Sequence, residues 1–126
     1  MSVQTKTVLL ADDEIFMLRL LEATFRKGGY RVVQTHNGPE AIAVAGDTRP
    51  ELIVMDVMMP GLDGLSAVRQ LKQNQATRDI PVIVLSSKGH ALTKAEAMEA
   101  GAALFLTKPF SPNQLLTEAQ RLLGPA

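Results

Sequence analysis

Short apolar runs alternate with longer helical patterns along this chain of 126 residues, and the alternation restricts the possible folds more than any other feature. The apolar runs predict strands at residues 7–11, 31–35, 51–56, 81–86 and 103–107. Helical periodicity covers the segments near 14–27, 38–47, 63–74 and 90–99, with a last helix at 112–123. Strict strand–helix alternation is typical of a parallel sheet with helices on both faces. We therefore expect an α/β fold with one five-stranded parallel sheet.

Local sequence signals support these helix limits. Asn37, with Glu40 three residues later, predicts a capping pair at the start of the second helix. Asp63 can cap the third helix, and Ser111 with Gln114 can cap the fifth. The packed face of the first helix is predicted to contain Ile15, Met17, Leu18, Leu21 and Phe25.

Length and composition indicate one small domain without a strong charge bias. A chain of this length suits a single domain at residues 1–126, with a core at 6–123 and no output domain after the last helix. The formal net charge is zero, which argues against direct binding to nucleic acid or an anionic membrane. No apolar run approaches the roughly 20 residues that span a bilayer. The absence of cysteine excludes disulfides and fits a cytoplasmic location.

Polar and charged residues stand where four of the predicted strands end. Asp12 and Asp13 follow the first strand, Asp56 ends the third, Ser86 ends the fourth and Lys108 follows the fifth. Open parallel sheets bind ligands beyond the carboxyl ends of their strands. One carboxylate there would be an ordinary helix cap, but complementary groups on four strand ends favour a functional site.

The residue types in this cluster indicate phosphoryl chemistry. Three neighbouring carboxylates repel one another, and a site with oxygen ligands alone favours Mg²⁺, for which Mn²⁺ can substitute. Magnesium binds phosphate oxygens readily, while Lys108 and a serine hydroxyl can contact further phosphoryl oxygens. Asp56 then remains as the nucleophile, and its product would be an aspartyl phosphate.

Four motifs together resemble the receiver domains of two-component response regulators, and the single-domain chemotaxis regulators are the most similar in shape. The resemblance covers residues 6–123, and its motifs are VLLADDE at 8–14, DVMMPGLDG at 56–64, PVIVLSS at 81–87 and KPF at 108–110. It implies a flavodoxin-like, doubly wound three-layer fold with strand order 2-1-3-4-5.

By the same resemblance, Asp56 is the expected phosphoacceptor and a metal ligand. Asp13 is expected to bind Mg²⁺ directly and Asp12 through water, with the backbone carbonyl of Met58 as a further ligand. The phosphoryl donor is expected to be a phosphohistidine on a sensor histidine kinase or a histidine phosphotransfer protein.

The resemblance also implies a switch. Ser86 matches the hydroxyl residue that follows the phosphoryl group, and Ser87 matches the small residue after it. Phe105 stands where many members carry tyrosine, so it lacks the hydroxyl hydrogen bond. Lys108 matches the family's lysine, and its bond to Pro109 is expected to be cis.

Phosphorylation is expected to reshape the surface made by helix 4, strand 5 and helix 5, which would then bind a downstream protein. The chain would act as a monomer or as a phosphorylation-dependent dimer. It would be an enzyme only in the narrow sense that it catalyses its own phosphorylation and dephosphorylation. Met58 and Lys88 carry neither carboxylate nor amide to orient a hydrolytic water, so we expect slow loss of the phosphoryl group.

Three other functions fit parts of this sequence pattern. A Mg²⁺-dependent phosphohydrolase with an aspartate nucleophile is the main alternative, although it needs a second aspartate where Met58 stands and a cap domain. A flavin-binding electron carrier needs a Ser/Thr/Gly-rich loop where residues 12–14 are acidic. A P-loop nucleotide binder is excluded because the G-x-x-x-x-G-K-[ST] motif is missing.

Overall fold

The computed structural model describes residues 5–59, 61–87 and 94–124. Strands and helices alternate throughout these ranges, as the sequence predicts. In chain order they are β1 (Thr7–Ala11), α1 (Ile15–Lys27), β2 (Arg31–Thr35), α2 (Gly38–Thr48), β3 (Leu52–Asp56), α3 (Gly64–Gln73), β4 (Val82–Ser87), α4 (Lys94–Ala100), β5 (Leu104–Lys108) and α5 (Pro112–Leu123).

The strands form one parallel sheet in the order β2-β1-β3-β4-β5. The expected fold class and strand order are therefore confirmed. Sequential crossovers in this order place β1 and β3 side by side, and the chain winds outwards from them in both directions.

Two apolar clusters cover the two faces of the sheet. Alternate strand residues point to opposite faces, so Leu9 and Ile53 pack with α2, α3 and α4, while Leu10 and Val54 pack with α1 and α5. Every residue of β3 is buried, as double-sided cover requires. This buried centre gives the carboxyl ends of β1 and β3 a rigid base.

Most predicted helix signals lie where expected. The backbone N–H of Glu40 donates to the Asn37 side chain at 2.8 Å, and that of Ser66 donates to the Asp63 side chain at 3.0 Å. Ser111 accepts from the N–H of Gln114 at 3.3 Å. The predicted start of α4 at residues 90–93 lies outside the described residues, as do Pro60, Lys88 and His90.

The predicted packed face of α1 is wrong at its first residue. Leu18, Leu21 and Phe25 are buried and Met17 is partly buried, but Ile15 is 58% exposed. Ile15 opens the helix four residues after the end of β1, so its turn lies beyond the sheet edge and not over the core. Among the described residues, no helix is both long and apolar enough to cross a membrane.

Candidate functional site

Neighbouring strand ends bring the predicted site residues to one edge of the sheet. Asp12 and Asp13 follow the last residue of β1, and Asp56 is the last residue of β3, the strand beside it. Lys108 is the last residue of β5 and lies opposite Ser87 in the β4–β5 register. The sheet order therefore delivers acidic groups from its centre and a cationic group from its edge strand.

The three carboxylates form one cluster. Asp12, Asp13 and Asp56 each offer a carboxylate oxygen, and these oxygens all lie within 4.8 Å of one another. Asp12 is fully buried and Asp56 is only 3% exposed, whereas Asp13 is exposed. The cluster thus opens to solvent on the side of Asp13.

Lys108 bridges the two buried carboxylates. Its Nζ donates to Oδ2 of Asp56 at 2.9 Å and to Oδ2 of Asp12 at 3.4 Å. Both pairs are largely shielded from water, where a charge needs a partner to be tolerated. Three carboxylates face this one ammonium, so the ionised cluster keeps an excess of negative charge.

The pKa values of two groups reflect this imbalance. Burial raises the pKa of Asp12 from 3.8 to about 6, opposed by the backbone N–H of Glu14 and reinforced by the charge of Asp56. Burial alone would lower the pKa of Lys108, but its hydrogen bond and charge interaction with Asp56, followed by those with Asp12, raise it. The two carboxylates therefore stabilise the charged ammonium form of Lys108, whereas ionisation of Asp12 costs free energy.

The segment after β3 is held close to Asp56 by backbone contacts. The N–H of Met58 donates to Oδ1 of Asp56 at 3.1 Å, and the N–H of Val57 donates to the Leu85 carbonyl at 3.0 Å. Gly64 approaches so closely that a Cβ there would lie 2.5 Å from the Asp56 carbonyl oxygen. The predicted site residues did not include Gly64, since this close approach exists only once the loop has folded back.

The acidic segment after β1 is fixed in a similar way. The N–H of Asp12 donates to the Thr35 carbonyl at 3.2 Å, and its Oδ1 accepts the N–H of Glu14 at 2.9 Å. Thr35 is buried and donates its hydroxyl to the Leu10 carbonyl at 2.8 Å, which ties β2 to β1 at this edge. These contacts orient Asp12 before any ligand binds.

The two predicted switch residues lie on the neighbouring strands β4 and β5. Ser86 is buried, and its Oγ donates a long hydrogen bond of 3.4 Å to the Ser87 carbonyl. Phe105 is partly buried and packs against the core under α2, α3 and α4, opposite Val84 in the register. The Lys108–Pro109 peptide bond is cis, as expected.

The donor set suits a hard divalent cation. All three acidic groups offer oxygen, and a divalent ion would neutralise the negative excess that Lys108 leaves. A phosphoryl group entering from the open side would meet that ion and the Lys108 ammonium. The arrangement can therefore bind a metal and a phosphoryl group together next to a carboxylate nucleophile.

Comparison with known proteins supports this interpretation. The family model for the response regulator receiver domain matches residues 8–120. The phosphate regulon transcriptional regulatory protein PhoB of Pseudomonas aeruginosa is 37% identical over 118 residues, which are 94% of this chain and 52% of that protein. The transcriptional regulatory protein ResD of Bacillus subtilis is 36% identical over 94% of this chain and 48% of its own length. The chain thus spans about half the length of these relatives.

Solved structures agree in fold. The chemotaxis response regulator CheY4 of Vibrio cholerae has a TM-score of 0.87 and 32% identity, covering 95% of this chain and 100% of that one. The receiver domain of a Pseudomonas aeruginosa sensor histidine kinase, solved with a magnesium ion coordinated in its active site cleft, has a TM-score of 0.88 and 31% identity, covering 97% of this chain and 100% of that one. With the family model matching nearly its whole length, this chain belongs to the response regulator receiver domains, the phosphorylation-dependent switches of two-component signal transduction.

Proposed function

We propose that Asp56 accepts the phosphoryl group from a phosphohistidine of a partner protein, and that Mg²⁺ bound by the acidic cluster is required. The observation that carries this proposal is the meeting of three carboxylates within 4.8 Å, with the Lys108 ammonium 2.9 Å from Asp56. A structural role would account for one carboxylate paired with Lys108. Three carboxylates leave a surplus of negative charge, which favours the binding of a cation.

Asp56 is the best placed of the three carboxylates to act as the nucleophile. Its Oδ2 accepts from Lys108 and its Oδ1 accepts from the Met58 N–H, so both oxygens are oriented. In the transfer, one of these oxygens forms a bond to phosphorus while the phosphorus–nitrogen bond of the donor breaks. The bonding electron pair stays on that nitrogen, and the histidine leaves as a neutral imidazole whose other ring nitrogen carries the proton. Catalysis then consists mainly of positioning and charge neutralisation.

The other residues have supporting roles in the proposal. Asp13 is the exposed carboxylate and would bind the ion directly, whereas buried Asp12 would act through water. The Met58 carbonyl would supply a further oxygen. A bound Mg²⁺ would neutralise phosphoryl and carboxylate charge, and Mn²⁺ would substitute because the ligands are all oxygen. Lys108 would contact one phosphoryl oxygen and Ser86 another.

The donor is proposed to be a protein, either a sensor histidine kinase or a histidine phosphotransfer protein. Asp56 is only 3% exposed, so a donor histidine must project into the opening at the sheet edge. The first turn of α1 presents apolar side chains at that edge, where Phe16 is 77% exposed beside the exposed Ile15. A protein partner would cover this apolar surface, which a small phosphodonor has no need to contact. We place the chain in the cytoplasm, where such donors act.

The output is proposed to pass through Ser86 and Phe105. Movement of Ser86 towards a bound phosphoryl group would leave space for Phe105, whose strand contacts α4. The surface of α4, β5 and α5 would then favour a second packing that binds a downstream protein. This domain would work as a monomer or a phosphorylation-dependent dimer, without contacting nucleic acid itself.

The phosphohydrolase alternative is weaker at one position. An acid/base carboxylate is needed two residues after the nucleophile, and Met58 has an exposed thioether side chain there. The same side chain supports slow loss of the phosphoryl group, because a thioether orients water poorly.

The proposal is tested by incubating the protein with a small phosphodonor and following its intact mass. We expect a gain of one phosphoryl group with Mg²⁺ or Mn²⁺, no gain in EDTA, and no gain in Asp56→Asn. Circular dichroism would establish that Asp56→Asn is folded. An equal gain in Asp56→Asn, or a gain independent of divalent ions, would refute the assignment.

A further inference from the structure

Met58 differs from its neighbouring methionines in exposure. Its side chain is 53% exposed, whereas Met55 and Met59 on either side are buried in the core. The burial of those two follows from the sheet and the packed loop. An exposed apolar side chain next to a buried acidic cluster has no packing role of that kind, and its sulfur is accessible to solutes.

The backbone of Met58 lies within reach of the acidic site. Its amide nitrogen is 3.1 Å from Oδ1 of Asp56. Adding one N–Cα bond puts the Met58 Cα within about 5 Å of that oxygen. The thioether sulfur is three bonds further out on an unbranched side chain that is 53% exposed, a length that allows it to reach a phosphoryl group attached to Asp56.

A thioether in this position is open to oxidation by hydroperoxides. The sulfur donates an electron pair to one peroxide oxygen, the oxygen–oxygen bond breaks, and with hydrogen peroxide the products are methionine sulfoxide and water. Exposure selects the target, because buried Met55 and Met59 are shielded from the oxidant. Met98 on α4 is 42% exposed and offers a comparison residue outside the acidic cluster.

We propose that Met58 is an oxidation site through which hydroperoxides shorten the lifetime of the phosphorylated state. This inference rests on the proposed phosphorylation of Asp56 and adds a regulation of that same site. The thioether is a weak hydrogen-bond acceptor, so it does not hold water well. The sulfoxide oxygen is a strong acceptor within reach of the phosphoryl group, and it orients a water for attack on phosphorus.

The test compares phosphoryl decay before and after mild peroxide treatment. Protein is oxidised with hydrogen peroxide, freed of oxidant with catalase, phosphorylated with a small phosphodonor and Mg²⁺, and followed by intact mass. Peptide mapping quantifies sulfoxide at each methionine. Met58→Leu removes the sulfur, Met98→Leu is the matched control, and Met58→Gln places an amide oxygen near the position of the sulfoxide oxygen.

We expect loss of the phosphoryl group to become about three- to tenfold faster in oxidised wild type. This acceleration is smaller than the roughly 100-fold or greater rate increase that a firmly positioned general base supplies. Met98→Leu should keep this response, Met58→Leu should show the same half-life with and without peroxide, and Met58→Gln should decay faster than Met58→Leu without any oxidant. Full conversion of Met58 to sulfoxide with unchanged decay would overturn the inference, as would an equal peroxide response in Met58→Leu. Failure of untreated protein to gain a phosphoryl group would instead refute the proposed function, and this inference with it.

Discussion

Replacing Asp12 with asparagine should stabilise the metal-free protein near neutral pH. Asp12 is fully buried near Asp56, and its pKa is raised from 3.8 to about 6, mainly by burial. Keeping this carboxyl ionised in the folded state therefore costs free energy relative to the unfolded chain. Asparagine removes the charge and retains an oxygen that can accept the N–H of Glu14, a bond of 2.9 Å in the wild type.

The raised pKa sets the size and the pH range of the effect. One pKa unit corresponds to about 1.4 kcal/mol, so a rise from 3.8 to about 6 corresponds to about 3 kcal/mol. The Asp12 carboxyl is neutral in both folded and unfolded states well below pH 3.8, its cost to stability grows between pH 3.8 and about 6, and the cost stays constant at higher pH. Because contacts with Asp56 and Lys108 share this cost, we expect Asp12→Asn to gain about 1–3 kcal/mol at about pH 8 and almost nothing at about pH 3.

Urea unfolding followed by far-ultraviolet circular dichroism suits this chain, which has no tryptophan. The free energy of unfolding is measured for wild type and Asp12→Asn in EDTA at both pH extremes. Added Mg²⁺ should then stabilise the wild type more than the variant, because the variant has lost one carboxylate of the cluster. A variant that is less stable than wild type at the higher pH in EDTA, or a difference that does not depend on pH, would contradict the electrostatic account.

Three further predictions follow from the site and its surroundings. In Gly64→Ala the added Cβ would lie 2.5 Å from the Asp56 carbonyl oxygen, so the free energy of unfolding in urea should fall by about 1–3 kcal/mol. In the control Gly46→Ala, the added Cβ lies in open space within α2, and the free energy of unfolding should rise by up to about 1 kcal/mol. Equal effects of the two substitutions would contradict the close approach of Gly64. Phe16→Ser should slow phosphorylation by a protein phosphohistidine donor several-fold and leave the rate with a small phosphodonor unchanged, and an equal loss with both donors would argue against a docking role. The apparent Kd for Mg²⁺, measured by calorimetry, should rise about tenfold per pH unit below the Asp12 pKa of about 6, because the ion must displace a proton; a flat profile would show that Asp12 takes no part.

The sequence was sufficient for the fold because its signals are local and agree with one another. The apolar runs predict all five strands to within one residue at either end, and the capping residues Asn37, Asp63 and Ser111 mark helix starts that the structure contains. The meeting of Asp12, Asp56 and Lys108 follows from strand ends once the sheet is parallel.

Features that depend on where an element lies in space could not be predicted in this way. Helical periodicity placed Ile15 on the packed face, since the pattern contains no information about where the sheet stops beneath α1. Gly64 looked like an ordinary residue after a capping aspartate, and its close approach to Asp56 arises only in the folded loop. The different burial of adjacent Asp12 and Asp13 likewise depends on the direction of the chain after β1.

The central claim is that Asp56, among the three clustered aspartates, carries the phosphoryl group. Borohydride reduces an acyl phosphate to an alcohol, which converts the modified aspartate to homoserine and marks its position for tandem mass spectrometry. We predict homoserine at residue 56 alone, formed only when a divalent ion accompanied the phosphodonor. Homoserine at residue 12 or 13, or at residue 56 without a divalent ion, would contradict it.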